Sequence, residues 1–262
     1  MILLKALVLG IVEGVTEFLP VSSTGHLIVA SRLVGFPEGS RDTFDIFIQL
    51  GAILAVVWHF RRDLLGLAAA APRDAAARRI VMRVGLAFVP AALAGFLWHR
   101  AIETHLFNPR VVAASLIVGG LVIVAVERRA WRFSTVRMDQ TTWGQALGIG
   151  GAQVVSLIPG VSRAGATIIG AMFAGLDRPV ATQFSFYLSI PTMCAASLYS
   201  LVKARHLLGW SDALPFAIGF VAAFASALIV VRAFITFVQR HRFTGFGYYR
   251  IVAGVLILLA VG

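Results

Sequence analysis

GIVEGVTEFLPVSSTGHLIVASRL, residues Gly10–Leu33, starts as an apolar helix, breaks at Pro20–His26 and resumes as a second apolar segment. A second run, Trp143–Leu176, breaks the same way at PGVSRAG, Pro159–Gly165. Shifting the first run by 140 positions puts Ser22 on Ser162, Gly25 on Gly165 and Ile28 on Ile168. Irregular backbone at bilayer depth survives only where protein or a wet cavity satisfies its polar groups. Both runs are therefore expected to be re-entrant hairpins whose tips meet inside the protein.

Working outward, a spanning helix needs about 20 mostly apolar residues. Phe44–Phe60, Val84–Ile102, Val111–Val126, Phe184–Val202, Ala213–Phe237 and Phe246 to the C-terminus meet that need or come near it. The fold class expected is an all-α polytopic membrane protein with about six transmembrane helices and two re-entrant helical hairpins. Each broken run precedes three spans, an odd number, so the second half enters the bilayer from the opposite face. That is an inverted-topology repeat. The chain is thus read as a single membrane domain, 1–262, with halves at roughly 1–127 and 143–262 joined by a basic loop, 128–142.

Composition excludes the alternatives. Of 262 residues 59% are hydrophobic and only 13% charged, with a mean hydropathy of +0.87, too little polar surface for a soluble domain. The net charge of +11 does not mark a nucleic-acid binder, because the arginines cluster between apolar runs. The clusters are Arg61/Arg62, Arg78/Arg79/Arg83, Arg128/Arg129/Arg132 and Arg240/Arg242, and they are assigned to the cytoplasmic side. The Glu103–Arg110 and Lys203–Asp212 loops and both termini then lie outside. Pro72–Ala77 and Met138–Thr142 read as plain loops. Glu13 and Glu17 interrupt what could pass for a leader peptide, so the N-terminus is expected to be retained. Cys194, the single cysteine, is expected to be a buried, inert thiol. Gly119 and Gly120 permit close helix contacts and leave a homodimer possible.

The chemistry is expected where charges and hydroxyls interrupt the apolar runs. Glu13 and Glu17 are four apart, on one helical face, and suit a divalent cation. Ser22, Ser23, Thr24 and His26 follow at a predicted helix start, where free N–H groups attract anions. Arg163 is the only charge in Trp143–Gly175. Its fork suits a phosphate, or Glu17 in a structural pair, and Gly160, Ser162, Gly165 and Thr167 let backbone amides approach the same anion. Together these groups describe phosphoryl transfer, with a serine nucleophile and with His26 or Glu17 taking its proton. Attack by His26 or directly by water stays open. The competing class is a carrier or flippase of a lipid phosphate, since broken helices meeting at mid-bilayer also describe transporters.

The runs Gly10–Leu33 and GAQVVSLIPGVSRAGATI, Gly151–Ile168, closely resemble the two signature regions of the undecaprenyl pyrophosphate phosphatases, also called bacitracin-resistance proteins. The resemblance extends over essentially the whole chain. It implies hydrolysis of undecaprenyl pyrophosphate to undecaprenyl phosphate and inorganic phosphate. That recycles the lipid carrier of cell-wall synthesis and shields cells from bacitracin. It implies an inner (plasma) membrane location, a site open to the periplasmic or outer side, and a Mg2+ or Ca2+ requirement. By the family pattern Glu13 and Glu17 form the acidic motif and Ser23 is the nucleophile. Thr24, His26, Ser162 and Arg163 belong to the same site. The family commonly reads Pro-Gly-x-Ser-Arg-Ser-Gly; Ala164 replaces the second serine, which removes one hydroxyl contact.

Overall fold

A computed structural model describes residues 1–129, 133–204 and 213–261. These residues hold eleven α-helices: α1 (Ile2–Thr16), α2 (Ser23–Val34), α3 (Glu38–His59), α4 (Arg61–Ala70), α5 (Ala75–Leu106), α6 (Pro109–Arg128), α7 (Trp143–Val155), α8 (Arg163–Phe173), α9 (Arg178–Ala204), α10 (Ala213–Val238) and α11 (Thr244–Val261). The all-α polytopic architecture is the expected one. Among the described residues Arg41–His59, Ala75–Ile102, Pro109–Arg128, Arg178–Val202 and Ala213–Val238 are long and apolar enough to cross a membrane. The sixth expected span is the shorter apolar helix Thr244–Ala260.

Both broken runs fold as helical hairpins too short to cross the bilayer. At 1.5 Å per residue the 15 residues of α1 extend about 22 Å, against a hydrocarbon core of about 30 Å. α2, α7 and α8 are shorter still, with 12, 13 and 11 residues. Ser22 caps α2 and Ser162 caps α8, each at φ 72°, where an L-residue is strained, and each side chain accepts from the amide of the glycine three residues on. The 140-residue correspondence read from the sequence is therefore a correspondence of backbone conformation.

The helices pack reciprocally. α1 lies against α10 as α7 lies against α5; α3 pairs with α10 as α9 pairs with α5; α3 meets α9, and α6 meets α11. Each hairpin is thus clasped by the opposite half. Close approach is made by glycine. A side chain on Gly10 would overlap the backbone of Gly219, and one on Gly150 would overlap that of Ala87. Gly119 and Gly120 face Arg250 and the Gly247 backbone of α11, so these small residues serve contacts within the chain. At one end of the bundle Arg178 donates two bonds to the buried Glu127, at 2.9 and 2.5 Å, and the Phe243 amide adds a third. This joins α6, α9 and the start of α11.

Three expectations need correction. After the short helix α4, Asp74 caps α5, so that Ala75–Ala77, expected as loop, are its first turn. Met138–Gln140 forms a short 3-10 turn. Cys194 is exposed on α9, because outward positions of a spanning helix face lipid and apolar character there does not imply burial. Arg132 and most of the Lys203–Asp212 loop lie outside the described residues.

Candidate active site

The two hairpin tips meet. Glu17, Ser22, Ser23 and Thr24 from the first, with Gly160, Ser162 and Arg163 from the second, line one cavity of about 150 Å³. Gln49 of α3 and Ser156, Ile158 and Pro159 complete its wall. The volume fits a phosphate group but not an isoprenoid chain. A larger, open groove of about 620 Å³ runs along α10 between Ile229 and His241, but it contains no carboxylate.

Glu17 is the junction of the site. It ends α1 as its C-cap, buried, where the chain turns at Pro20 toward α2. Its Oε2 accepts from Ser23 Oγ at 2.5 Å, and its Oε1 accepts from Arg163 Nη2 at 3.0 Å. Ser23 and Arg163 are the first residues of α2 and α8, so the repeat places a hydroxyl and a guanidinium at equivalent positions on either side of one carboxylate. Arg163 is held from behind by the Ser185 carbonyl and the Met193 sulfur, and it lies over the Phe18 ring at 5.4 Å. Of the two proton acceptors left open by the sequence, the structure sets Glu17, not His26, on the Ser23 hydroxyl. His26 bonds the Ser22 carbonyl at 2.7 Å through Nδ1 and the Tyr249 hydroxyl at 2.5 Å through Nε2.

The second motif is fixed by its own geometry. Ser162 Oγ accepts from Gly165 N at 3.0 Å and reaches the Leu19 carbonyl of the other hairpin at 3.5 Å. Gly160 has φ +91°, and a Cβ there would press on the Val112 backbone, so only glycine suits this turn. Ala164, at the position of the family's second serine, is fully buried. A hydroxyl there would face protein.

Glu13 lies one turn below Glu17, 1% exposed, and neither of its carboxylate oxygens has a hydrogen-bond partner. It does not line the cavity. A buried carboxylate without donors needs a cation or a proton, so Glu13 fits a divalent-cation ligand on an observation independent of its spacing. Among the described residues no three His, Cys, Asp or Glu cluster as a complete metal site. Glu13 and Glu17 would therefore be the protein part of a site finished by water and substrate oxygens, as hard cations accept.

Three contributors escaped the sequence reading. Gln49 is a polar side chain inside the first long span. Arg250, 1% exposed, donates to five backbone carbonyls: Pro20, Gly160, Val161, Ser115 and Leu116. It ties both hairpin tips to α6. Its neighbour Tyr249 holds His26. The signal was present, since Arg250 is the only charge between Phe246 and Gly262.

Comparison with known proteins agrees with this geometry. Residues 6–256 match the family model described as bacitracin resistance protein BacA. The undecaprenyl-diphosphatase 2 of Rhodospirillum rubrum is 51% identical over 257 residues, 98% of this chain and 94% of that protein. The undecaprenyl-diphosphatase of Aromatoleum aromaticum is 49% identical over 253 residues, 97% and 92% of the two chains. That of Ectopseudomonas mendocina is 50% identical over 254 residues, again 97% and 92%. A family model spanning nearly the whole chain and relatives at half identity give one assignment: the chain belongs to the BacA family of bacitracin-resistance proteins.

Proposed function

We propose that this protein is an undecaprenyl pyrophosphate phosphatase. It removes the terminal phosphate of the lipid, releasing undecaprenyl phosphate and inorganic phosphate. This returns the carrier to cell-wall synthesis and lowers the amount of the pyrophosphate form that bacitracin sequesters. The reading places it in the bacterial plasma membrane with its cavity open to the outer side, in keeping with the arginine clusters assigned to the cytoplasm. The observation that carries the reading is the Ser23–Glu17–Arg163 chain of bonds in a phosphate-sized cavity between two re-entrant tips. A carrier needs groups that bind an anion; it has no use for a hydroxyl bonded to a base.

In the reaction Arg163 exchanges its Glu17 bond for the pyrophosphate, which its planar fork can hold at two oxygens. The first residues of α2 and α8 line the same cavity, and the free amides of these helix starts would add donors. Ser23 Oγ then attacks the terminal phosphorus in line while Glu17 takes its proton. The new serine O–P bond forms as the bridging P–O bond breaks, and the lipid monophosphate leaves with the proton that Glu17 took. Water next attacks the phosphoserine, giving up a proton to Glu17, and the serine O–P bond breaks as Glu17 returns that proton to Ser23 Oγ and inorganic phosphate is released. Glu13 and Glu17 would hold Mg2+ or Ca2+, which when bound supplies positive charge against the phosphate oxygens.

The test is phosphate release from a short-chain prenyl pyrophosphate by the purified protein in detergent micelles, with and without divalent cation. Cation-dependent release is expected. Micelles have no second compartment, so absence of release there would favour the carrier.

A further inference from the structure

His26 has both ring nitrogens engaged. The Ser22 carbonyl, 2.7 Å from Nδ1, can only accept, so Nδ1 carries the proton. In the neutral ring Nε2 is then an acceptor, and the Tyr249 hydroxyl donates to it from 2.5 Å. The two rings lie within 7° of parallel with centroids 5.6 Å apart. No lone pair of this imidazole is left to face Ser23, whose hydroxyl is bonded to Glu17.

The repeat shows what the arrangement does. Around Ser162 the turn into α8 closes on its own: the Gly165 amide reaches Ser162 Oγ at 3.0 Å, and the Ala166 amide reaches the Ser162 carbonyl at 2.9 Å. Around Ser22 the same two bonds are 3.5 and 3.4 Å, although the backbone holds the same φ of 72°. The position equivalent to Ala166 is His26, and its side chain adds the 2.7 Å bond to the slack carbonyl. Tyr249 fixes the ring, and the residue that follows it in α11 is the buried Arg250, bonded to both hairpin tips.

We infer that His26 is a positioning residue: with Tyr249 it clamps the Ser22 carbonyl so that the Ser23 hydroxyl stays on Glu17, and it exchanges no proton with the substrate. This rests on the phosphatase reading and assigns Tyr249 to the same site.

The test is a set of substitutions assayed for phosphate release from a short-chain prenyl pyrophosphate in micelles. Asparagine can place an amide donor where Nδ1 sits, whereas glutamine reaches toward Nε2. His26→Asn should stay within about tenfold of the unsubstituted protein, while His26→Gln and His26→Ala fall about 100-fold, the cost of a misplaced reacting group. Tyr249→Phe should lower kcat about fivefold with KM unchanged, one hydrogen bond's worth, and should cause no further loss on the His26→Ala background. The inference is overturned if His26→Asn is as inactive as His26→Ala, or if Tyr249→Phe costs the same factor on both backgrounds. Absence of release by the unsubstituted protein would overturn the phosphatase reading itself, and the inference with it.

Discussion

Ser23 Oγ lies 2.5 Å from Glu17 Oε2, bridging the start of α2 to the end of α1 across the tip of one hairpin. The opposite oxygen of that carboxylate receives Arg163 from the second hairpin. One buried acid thus joins a hydroxyl and a guanidinium that lie 140 residues apart in the chain.

Glu17→Gln keeps the shape and one acceptor oxygen but cannot take the serine proton. General-base loss of this kind costs about 100- to 10,000-fold. Steady-state phosphate release should show that fall in kcat, with the protein still eluting as a folded species in detergent.

Arg163→Lys preserves the charge and loses the fork. The shorter lysine carries a point charge and lacks the planar fork that can grip two phosphate oxygens with the Ser185 carbonyl behind it, so kcat/KM should fall about 100-fold. Rates equal to those of the unsubstituted protein would remove Arg163 from the phosphate-gripping role.

Arg250→Met leaves five buried carbonyls short of their donor. With about 1–3 kcal/mol for each buried group left unpaired, partly relieved by relaxation, the loss of stability should be at least about 3 kcal/mol. Thermal melting in detergent reads it. Arg250→Lys, which keeps the charge but has fewer donors, should fall between.

Ser162 combines a cap with a left-handed backbone, so its substitutions should rank unusually. Ser162→Ala loses the cap and keeps the strain, for about 1 kcal/mol or more. Ser162→Gly loses the cap and relieves φ, for only a few tenths of a kcal/mol. Melting temperatures in the order serine, glycine, alanine are expected.

Chelation should abolish phosphate release, and added Mg2+ or Ca2+ should restore it. Because the Glu13 carboxylate has no other partner, Glu13→Gln should raise the half-saturating cation concentration at least about tenfold. An unchanged cation dependence in that variant would place the ion elsewhere.

The hairpins were legible because proline, glycine and hydroxyl residues in the midst of apolar runs have few structural uses, and the Ser22/Ser162 correspondence survived as the same φ of 72°. The meeting of Glu17 and Arg163 was legible because Arg163, the only charge in its apolar run, needed an anionic partner and the acids of the first run supplied one. Arg250 stood out as a lone charge in an apolar run, but its partners and that of Tyr249 were not legible, since main-chain carbonyls and a ring nitrogen leave no pattern in spacing. The orientation of His26 was not legible for the same reason: its proximity to Ser23 in sequence does not say which way the ring faces. Cys194 was misjudged because lipid, unlike water, breaks the link between apolar character and burial. α4 was not anticipated because Arg61–Ala70 opens with three charged residues in a row, which mark the end of an apolar span and carry no helical period.

The central claim is that the Ser23 hydroxyl attacks the substrate. Its most direct test is the turnover of Ser23→Ala on a short-chain prenyl pyrophosphate in detergent micelles with saturating divalent cation. The account predicts phosphate release at least about 1,000-fold below that of the unsubstituted protein. Turnover within about tenfold of it would contradict the serine nucleophile and leave attack to water.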